Sequence, residues 1–454
     1  MERVLKKKKT KDLTVGSPAR LLILFSLPLM AGNIFQQLYT IVDTAVVGKV
    51  LGVETLAALG AVDWLNWLVL GIVQGFAQGF AILMAQKFGA GEYARLRRVV
   101  ANAVVLAALC AVVVTAASEG LAGGVLDLLN TPPDIRPVGM AYLRILFAGI
   151  PVVTAYNLAA CILRSLGDSR TPLVAMVVAS IVNIVLDLAF VMGFGWGVEG
   201  AAAATILAQC LSAVYCYVRI RRIEVLHMTR EDWQLETSLM RRLLVLGAPM
   251  AFQNTIIAVG GMIVQKVVNG FGVVFIAGFT ATNKLYGLLE TAATSYGYAM
   301  VTYAGQNLGA GKKKRISDGM RSALLISLVT SVLITALMLL FGRLLLGAFI
   351  TAEPGVGEQA LEVAFRYLKI MSLWLPVLYV LHVTRSCIQG MGNTVLPMIS
   401  GCAEFVMRTG TALLLPLALG ENGIFYAEIF AWMGADLILV PSYFLVMRKV
   451  RAAE

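Results

Sequence analysis

The sequence predicts an all-α integral membrane protein whose twelve transmembrane helices form two six-helix lobes. Three observations predict it: an apolar composition, apolar runs long enough to cross a bilayer, and an internal repeat that divides those runs six and six. Hydrophobic residues fill 59% of the 454 positions and charged residues 14%, whereas a soluble domain carries about 25% charged residues. A helix needs about 20 apolar residues to cross a hydrocarbon core of ~30 Å, and several runs exceed that length. Only helices and closed barrels satisfy every backbone polar group in lipid, and these runs are too long for barrel strands.

The spans fall near 21–47, 60–86, 99–123, 138–163, 171–195, 197–218, 243–268, 273–303, 322–348, 366–390, 394–419 and 422–447. Lys6 to Lys9 ahead of the apolar stretch from Leu21 have the outline of a signal peptide. Further spans follow and no persuasive small-residue cleavage site is present, so the segment reads as an uncleaved first span with a basic tail. Of the 37 Lys and Arg residues, 28 fall on one side of a twelve-span arrangement, Arg385 counted among them. The positive-inside bias then puts both termini in the cytoplasm, and the chain is expected to be a multi-pass protein of the cytoplasmic (inner) membrane. It also accounts for the net charge of +11, which is therefore no argument for nucleic acid. The six cysteines are scattered through apolar helices without a C-x-x-C pair and read as packing residues.

The repeat is carried by matched residues. Pro28 and Asn33 in the first span correspond to Pro249 and Asn254 in the seventh, both offset by 221. Gln86-Lys87-Phe88-Gly89-Ala90-Gly91 after the second span corresponds to Gln306-Asn307-Leu308-Gly309-Ala310-Gly311 after the eighth. Leu166-Gly167-Asp168 with Pro172 corresponds to Met391-Gly392-Asn393 with Pro397, offset by 225. The expected organisation is an N-lobe over 1–220, a cytoplasmic linker over 221–240 and a C-lobe over 241–454. Six is an even number, so both halves cross in the same sense and are related by an axis along the membrane normal. Two such lobes enclosing a cavity suit a transporter better than a channel, two distant histidines argue against a membrane-embedded enzyme, and the chain is expected to act as a monomer.

Carboxylates inside a span are costly and point to function; the candidates are Asp43, Asp63, Asp187, Glu290, Glu404, Glu428 and Asp436. Counting from the outer ends of their spans puts Asp43, Asp187 and Thr205 all roughly 11–12 Å deep at 1.5 Å per residue. Asn183 lies one turn from Asp187 on the same helix face. Two carboxylates, an amide and a hydroxyl at one level of the N-lobe make a sensible proton or Na⁺ site. Two close carboxylates in a low dielectric cannot both stay ionised cheaply, so one holds a proton or a small cation neutralises them. The plainer alternative is that each Asp hydrogen-bonds backbone near a helix end. The C-lobe counterparts are Val264 and Ala412, so the chemistry is asymmetric although the scaffold repeats.

Elsewhere, Glu404 and Arg408 at i,i+4 read as a self-neutralising pair. Gln37, Lys284, Tyr286 and Glu290 are candidates to line a cavity, with Lys284 pairing Glu290 across two turns. Gly71, Gly75 and Gly79 read as a close-packing seam, and Pro28 as a hinge that frees a backbone carbonyl. The stretch Gly305 to Lys313 is only faintly like a phosphate loop: its spacing is wrong and Lys313 stands where Ser or Thr is needed. Without an ATPase element, transport is expected to be gradient-driven or downhill, with no cofactor beyond a coupling ion.

These residues together resemble the multidrug and toxic compound extrusion (MATE) family across essentially the whole chain. The match is carried by Gln36-Gln37-Leu38-Tyr39 with Asp43-Thr44 and Val47-Gly48, the two Gln-x-x-Gly-Ala-Gly turns, Leu166-Gly167-Asp168 with Pro172, Asn183, Asp187, and Gly197 through Ala201 with Thr205. The resemblance implies export of bulky, often cationic amphiphiles in exchange for H⁺ or Na⁺. Its pattern is similar to the DinF-like prokaryotic branch, which implies an N-lobe ion site at Asp43, Asn183, Asp187 and Thr205 and a kink at Pro28 on protonation. The NorM-like branch carries acids in the seventh and tenth spans; here Gln253 and Asn254 occupy the seventh, and the tenth has no acid between Tyr367 and Gly390. The wider superfamily also includes flippases for lipid-linked sugars, so a lipid-like substrate is the alternative.

Overall fold

A computed structural model describes residues 12–51, 53–128, 133–347, 350 and 356–452. Each predicted span is helical. The first three are α1 (Pro18–Leu51), α2 (Val53–Gly89) and α3 (Tyr93–Leu128). The fourth is broken into α4 (Arg136–Ala148) and α5 (Ile150–Ser165), bent by 48°. The break falls at Gly149 followed by Pro151, whose ring cannot donate to the preceding turn. The fifth span is α6 (Arg170–Asp187), continued by a π-helical turn over Leu188–Gly193, and the sixth is α7 (Gly197–Arg221). The remaining six are α8 (Thr237–Val268), α9 (Val273–Gly309), α10 (Lys313–Gly347), α11 (Val356–Gly390), α12 (Val395–Leu419) and α13 (Ala427–Ala452).

Among the described residues, nine helical stretches are long and apolar enough to cross a membrane, or ten with the bent α4–α5 pair, and the last of them joins α12 with α13. Helix α9 lies outside that set and carries Lys284, Glu290 and a run of hydroxyl residues. Large apolar side chains stay exposed along these helices, among them Leu325, Val332, Leu340 and Leu344 on α10, as expected of surfaces solvated by lipid tails.

The internal repeat reappears as repeated turn geometry. Gly91 and Gly311 both have φ of 70°, a left-handed conformation that side-chain-bearing residues rarely adopt. Each closes its helix the same way: Glu92 N–H donates to Lys87 O at 3.1 Å, and Lys312 N–H to Asn307 O at 2.9 Å. In the second matched pair, Asp168 Oδ1 accepts from the backbone of Thr171 at 2.9 Å and Asn393 Oδ1 from Leu396 at 3.1 Å. Asp168 and Asn393, each one residue ahead of the N-cap, therefore hold first-turn N–H groups of the following helices in the same way.

Contacts divide the chain into two compact units. The first is built on Leu27–Thr255 with the turn Gly309–Gly311; the second on Ile256–Leu308 and Lys312–Glu454 with Gly16–Ser26. The division thus cuts α1 beside Pro28 and α8 just past Pro249, and does not fall in the 221–240 stretch. The physical reason is the glycine seam. A Cβ on Gly75 would lie 2.5 Å from the Ala251 Cα, and one on Gly79 would strike the Gly247 main chain. The first half of α8 is therefore locked backbone-to-backbone onto α2.

The expected linker is likewise docked, on the start of α3. Arg97 Nε donates to Asp232 Oδ2 at 2.9 Å, and Arg95 and Arg98 pair with Glu236 at 3.0 and 3.2 Å. Asn102 bridges the strap, donating to Gln234 O at 3.1 Å and accepting from Glu236 N–H at 3.0 Å. Burial works against the Asp232 charge, but hydrogen bonds from Thr229 and Arg97 outweigh it and hold this carboxyl below its ordinary value.

Candidate functional site

In the first unit, α6 and α7 each present one polar stripe. Met176, Ser180, Asn183 and Asp187 are spaced to share one face of α6, and Thr205, Gln209 and Ser212 one face of α7. Asn183 and Asp187 are 2% and 1% exposed. A small cavity is lined by Ser180 and Asn183 of α6, by Thr205 and Gln209 of α7, by Gln36 of α1 and by Tyr156 of α5; Asp187 is not among its walls. Its hydroxyls spend their protons on helix backbone: Ser180 on Met176 O at 2.8 Å, Thr205 on Ala201 O at 3.1 Å, Ser212 on Ala175 O at 3.1 Å. Their oxygen lone pairs remain as acceptors. The Asn183 side-chain nitrogen and oxygen are buried without a hydrogen-bond partner among the described residues, and such a group costs free energy until something satisfies it.

The predicted convergence of Asn183 and Thr205 is thus present, with Asp187 one turn along α6. Asp43 lies in α1, but its side chain, like that of Asp63, falls outside the described residues. Pro28 lies inside α1 as expected, so the helix lacks one internal hydrogen bond there. Gln36 lines this cavity and Gln37 does not. Tyr156, Ser180, Gln209 and Ser212 were not anticipated. The signal for them was available in the three-to-four-residue spacing of polar side chains along otherwise apolar helices.

The second unit holds a different constellation. Arg385 of α11 donates to Glu404 of α12 at 2.6 Å, Arg408 to the other Glu404 oxygen at 3.0 Å and to Glu428 of α13 at 2.7 Å. The expected Glu404–Arg408 pair is therefore the middle of a four-member chain. Arg385 is a buried member of it, not a cytoplasmic loop cation. Glu290 of α9 meets His382 Nε2 of α11 at 3.3 Å. The expected Lys284–Glu290 pair is not formed: Lys284 is exposed, and six residues at ~100° each put the two on different helix faces. Tyr286 stacks on Trp432 with centroids 6.0 Å apart.

The multidrug and toxic compound extrusion family model, MatE, matches residues 28–189 and 249–414, one stretch in each repeat. The chain belongs to the MatE family. It is 31% identical over 421 residues to a probable multidrug resistance protein, YpnP, of Bacillus subtilis strain 168, covering 92% of each chain. It is 27% identical to the probable multidrug resistance protein NorM of Thermotoga maritima, over 83% of this chain and 81% of that one. A solved outward-facing multidrug resistance MATE transporter superposes with a TM-score of 0.90 at 22% identity, covering 98% of this chain and 100% of that one. The twelve-helix fold is that of the MATE transporters. The two MatE matches start at Pro28 and Pro249, the prolines beside which the chain passes between units.

Proposed function

We propose that this MatE-family chain is a secondary active exporter of hydrophobic, often cationic organic compounds, exchanging them for H⁺ or Na⁺ bound in the N-terminal half. The kinship to proteins named for multidrug resistance supports the substrate class. The observation that carries the exchange is the buried, unsatisfied Asn183 amide beside Asp187, facing hydroxyl lone pairs in a cavity too small for a drug. A proton on Asp187, or a small hard cation held by carboxylate, amide and hydroxyl oxygens, answers that arrangement. Asp43, Asn183, Asp187 and Thr205 form the coupling set in this reading. Occupancy there and substrate binding exclude one another, and that exclusion couples the two fluxes. Pro28, with its missing backbone hydrogen bond, is where α1 changes shape between the occupied and empty states. The termini lie in the cytoplasm, following the basic side of the spans.

The test is transport of a fluorescent organic cation into proteoliposomes with H⁺ and Na⁺ gradients imposed separately. One of the two gradients drives accumulation in the wild type, and Asp187→Asn abolishes the drive while the protein still binds the dye. Gradient-driven accumulation that survives intact in both Asp187→Asn and Asp43→Asn sinks the reading.

A further inference from the structure

Helix α9 turns a different face outward from its neighbours in the second unit. Helices α10, α11, α12 and α13 each expose large apolar side chains, for example Leu340, Leu373, Leu417 and Leu437, the kind of surface that lipid tails solvate. Among the described residues, α9 exposes no large apolar side chain. Its exposed residues are Ala277, Thr280 and Lys284, spaced i, i+3 and i+7 and therefore on one face. Lys284 stands 11 residues past Val273, where α9 begins. At 1.5 Å per residue that is about 16 Å along the axis, half of a hydrocarbon core of ~30 Å. An ammonium at that depth is costly against lipid and marks a water-filled pathway. Its four-carbon stem is too short to carry the charge to the membrane surface.

Lys284 pairs with no carboxylate among the described residues. Glu290, the carboxylate of its own helix, lies on another face and meets His382. The Lys284 face holds a second donor. Elsewhere on α9 hydroxyls are spent on helix backbone: Thr282 on Gly278 O at 3.1 Å, Thr291 on Gly287 O at 2.9 Å, Thr302 on Tyr298 O at 3.2 Å. Thr280, exposed and one turn before Lys284, makes no such bond among the described residues. The next turn of the same face, Gly287 and Leu288, is half-buried and apolar. An ammonium donates up to three hydrogen bonds and accepts none, and a threonine hydroxyl donates one more. A carboxylate answers both donors at once, and the charge-assisted bond is the stronger of the two.

We propose that Lys284, with Thr280, binds an acid group of the transported compound. The exporter then takes amphiphiles that carry a carboxylate, zwitterions included, as well as cations. The apolar turn beyond Lys284 receives the hydrocarbon body. A compound with positive charge alone gains nothing from Lys284 and is repelled by it. This rests on the exporter reading above and deepens it, and none of the coupling residues takes part.

The experiment is equilibrium binding of two matched probes to the purified full chain in phosphatidylcholine nanodiscs at neutral pH, with binding to empty discs subtracted. One probe is a naphthoate; the other carries a trimethylammonium group on the same naphthyl body. The wild type binds naphthoate. Lys284→Gln weakens that binding at least tenfold and leaves the ammonium probe bound as well or better. Lys284→Arg keeps naphthoate binding, and Thr280→Val weakens it about threefold. Thr280→Lys sets a second ammonium beside the first and tightens it, which reads the site without removing Lys284. A wild type that does not bind naphthoate overturns the proposal. So does equal naphthoate affinity in wild type and Lys284→Gln, or a parallel loss of both probes, which is what a merely structural lysine would give. Binding is read without a gradient, so the two readings fail differently. Lost ion coupling shows in accumulation with naphthoate binding intact; a wrong site shows in naphthoate binding with cation accumulation intact.

Discussion

Asn254 of α8 donates a hydrogen bond from Nδ2 to the Gly71 carbonyl oxygen of α2 at 3.0 Å. It crosses a seam where Gly75 and Gly79 bring the two backbones into direct contact. The obstacle to a larger residue is therefore main chain, which cannot rotate aside. Gly75→Val is expected to lower the thermal unfolding midpoint in detergent, the stability loss being at least the ~1–3 kcal/mol typical of overpacking. Gly91→Val, where the added side chain meets open space but φ is positive, is expected to act through backbone strain alone. Equal melting of Gly75→Val and wild type would rule out the seam.

Arg408 serves two carboxylates in a buried setting; Glu404 keeps Arg385 when it is removed, so the change strands Glu428. Arg408→Ala is expected to cost about 3–5 kcal/mol, read as loss of monodisperse protein after heating. Adding Glu428→Gln to that variant is expected to recover part of the loss, because the stranded charge disappears. No recovery would mean the two side chains act independently.

Thr205 and Asn183 offer oxygen atoms to the N-terminal cavity at different backbone cost. Thr205→Val keeps the helix and removes one lone-pair donor. It is expected to weaken coupling-ion affinity about tenfold, equivalent to ~1.4 kcal/mol, in the concentration dependence of gradient-driven transport. Asn183→Leu is expected to raise thermal stability, since it removes an unsatisfied buried amide, while abolishing ion-driven accumulation. A destabilised Asn183→Leu would show that the amide has a structural partner.

Asp232 links the strap to α3 through Arg97. Its carboxyl is held below its ordinary value, so its contribution is present above the unfolded-state value of about 3.9 and is lost as pH falls through the lower folded value. Protease nicking between 221 and 240 is therefore expected to be slow at neutral pH and to quicken only in strong acid. Asp232→Ala is expected to be nicked quickly at neutral pH already. A strap that opens on mild alkalinisation instead would contradict this sign.

Much of this arrangement was legible in the residues. The spans, their grouping by sixes and the matched turns at Gly91 and Gly311 follow from local patterns. The convergence of Asn183 and Thr205 followed from depth counting, because helix rise is constant and the two spans are joined by a short turn. Lys284 and Glu290 show where such counting fails: two residues close along a helix still point apart when the angle around it separates them. Arg385 reads as a loop cation from sequence because its position near a span end hides its partner on another helix.

Hydropathy, helical period and glycine conformation act over a few residues, so the amino-acid order alone determined twelve membrane helices, two repeats and a polar stripe in the N-terminal half. The pairs that set the chemistry join distant positions: Arg385 with Glu404, His382 with Glu290, Arg97 with Asp232, Asn254 with Gly71. Only packing decides which helix faces which, and therefore which charge neutralises which. For that reason the buried charge chain of the C-terminal half became visible only once the helices were assembled.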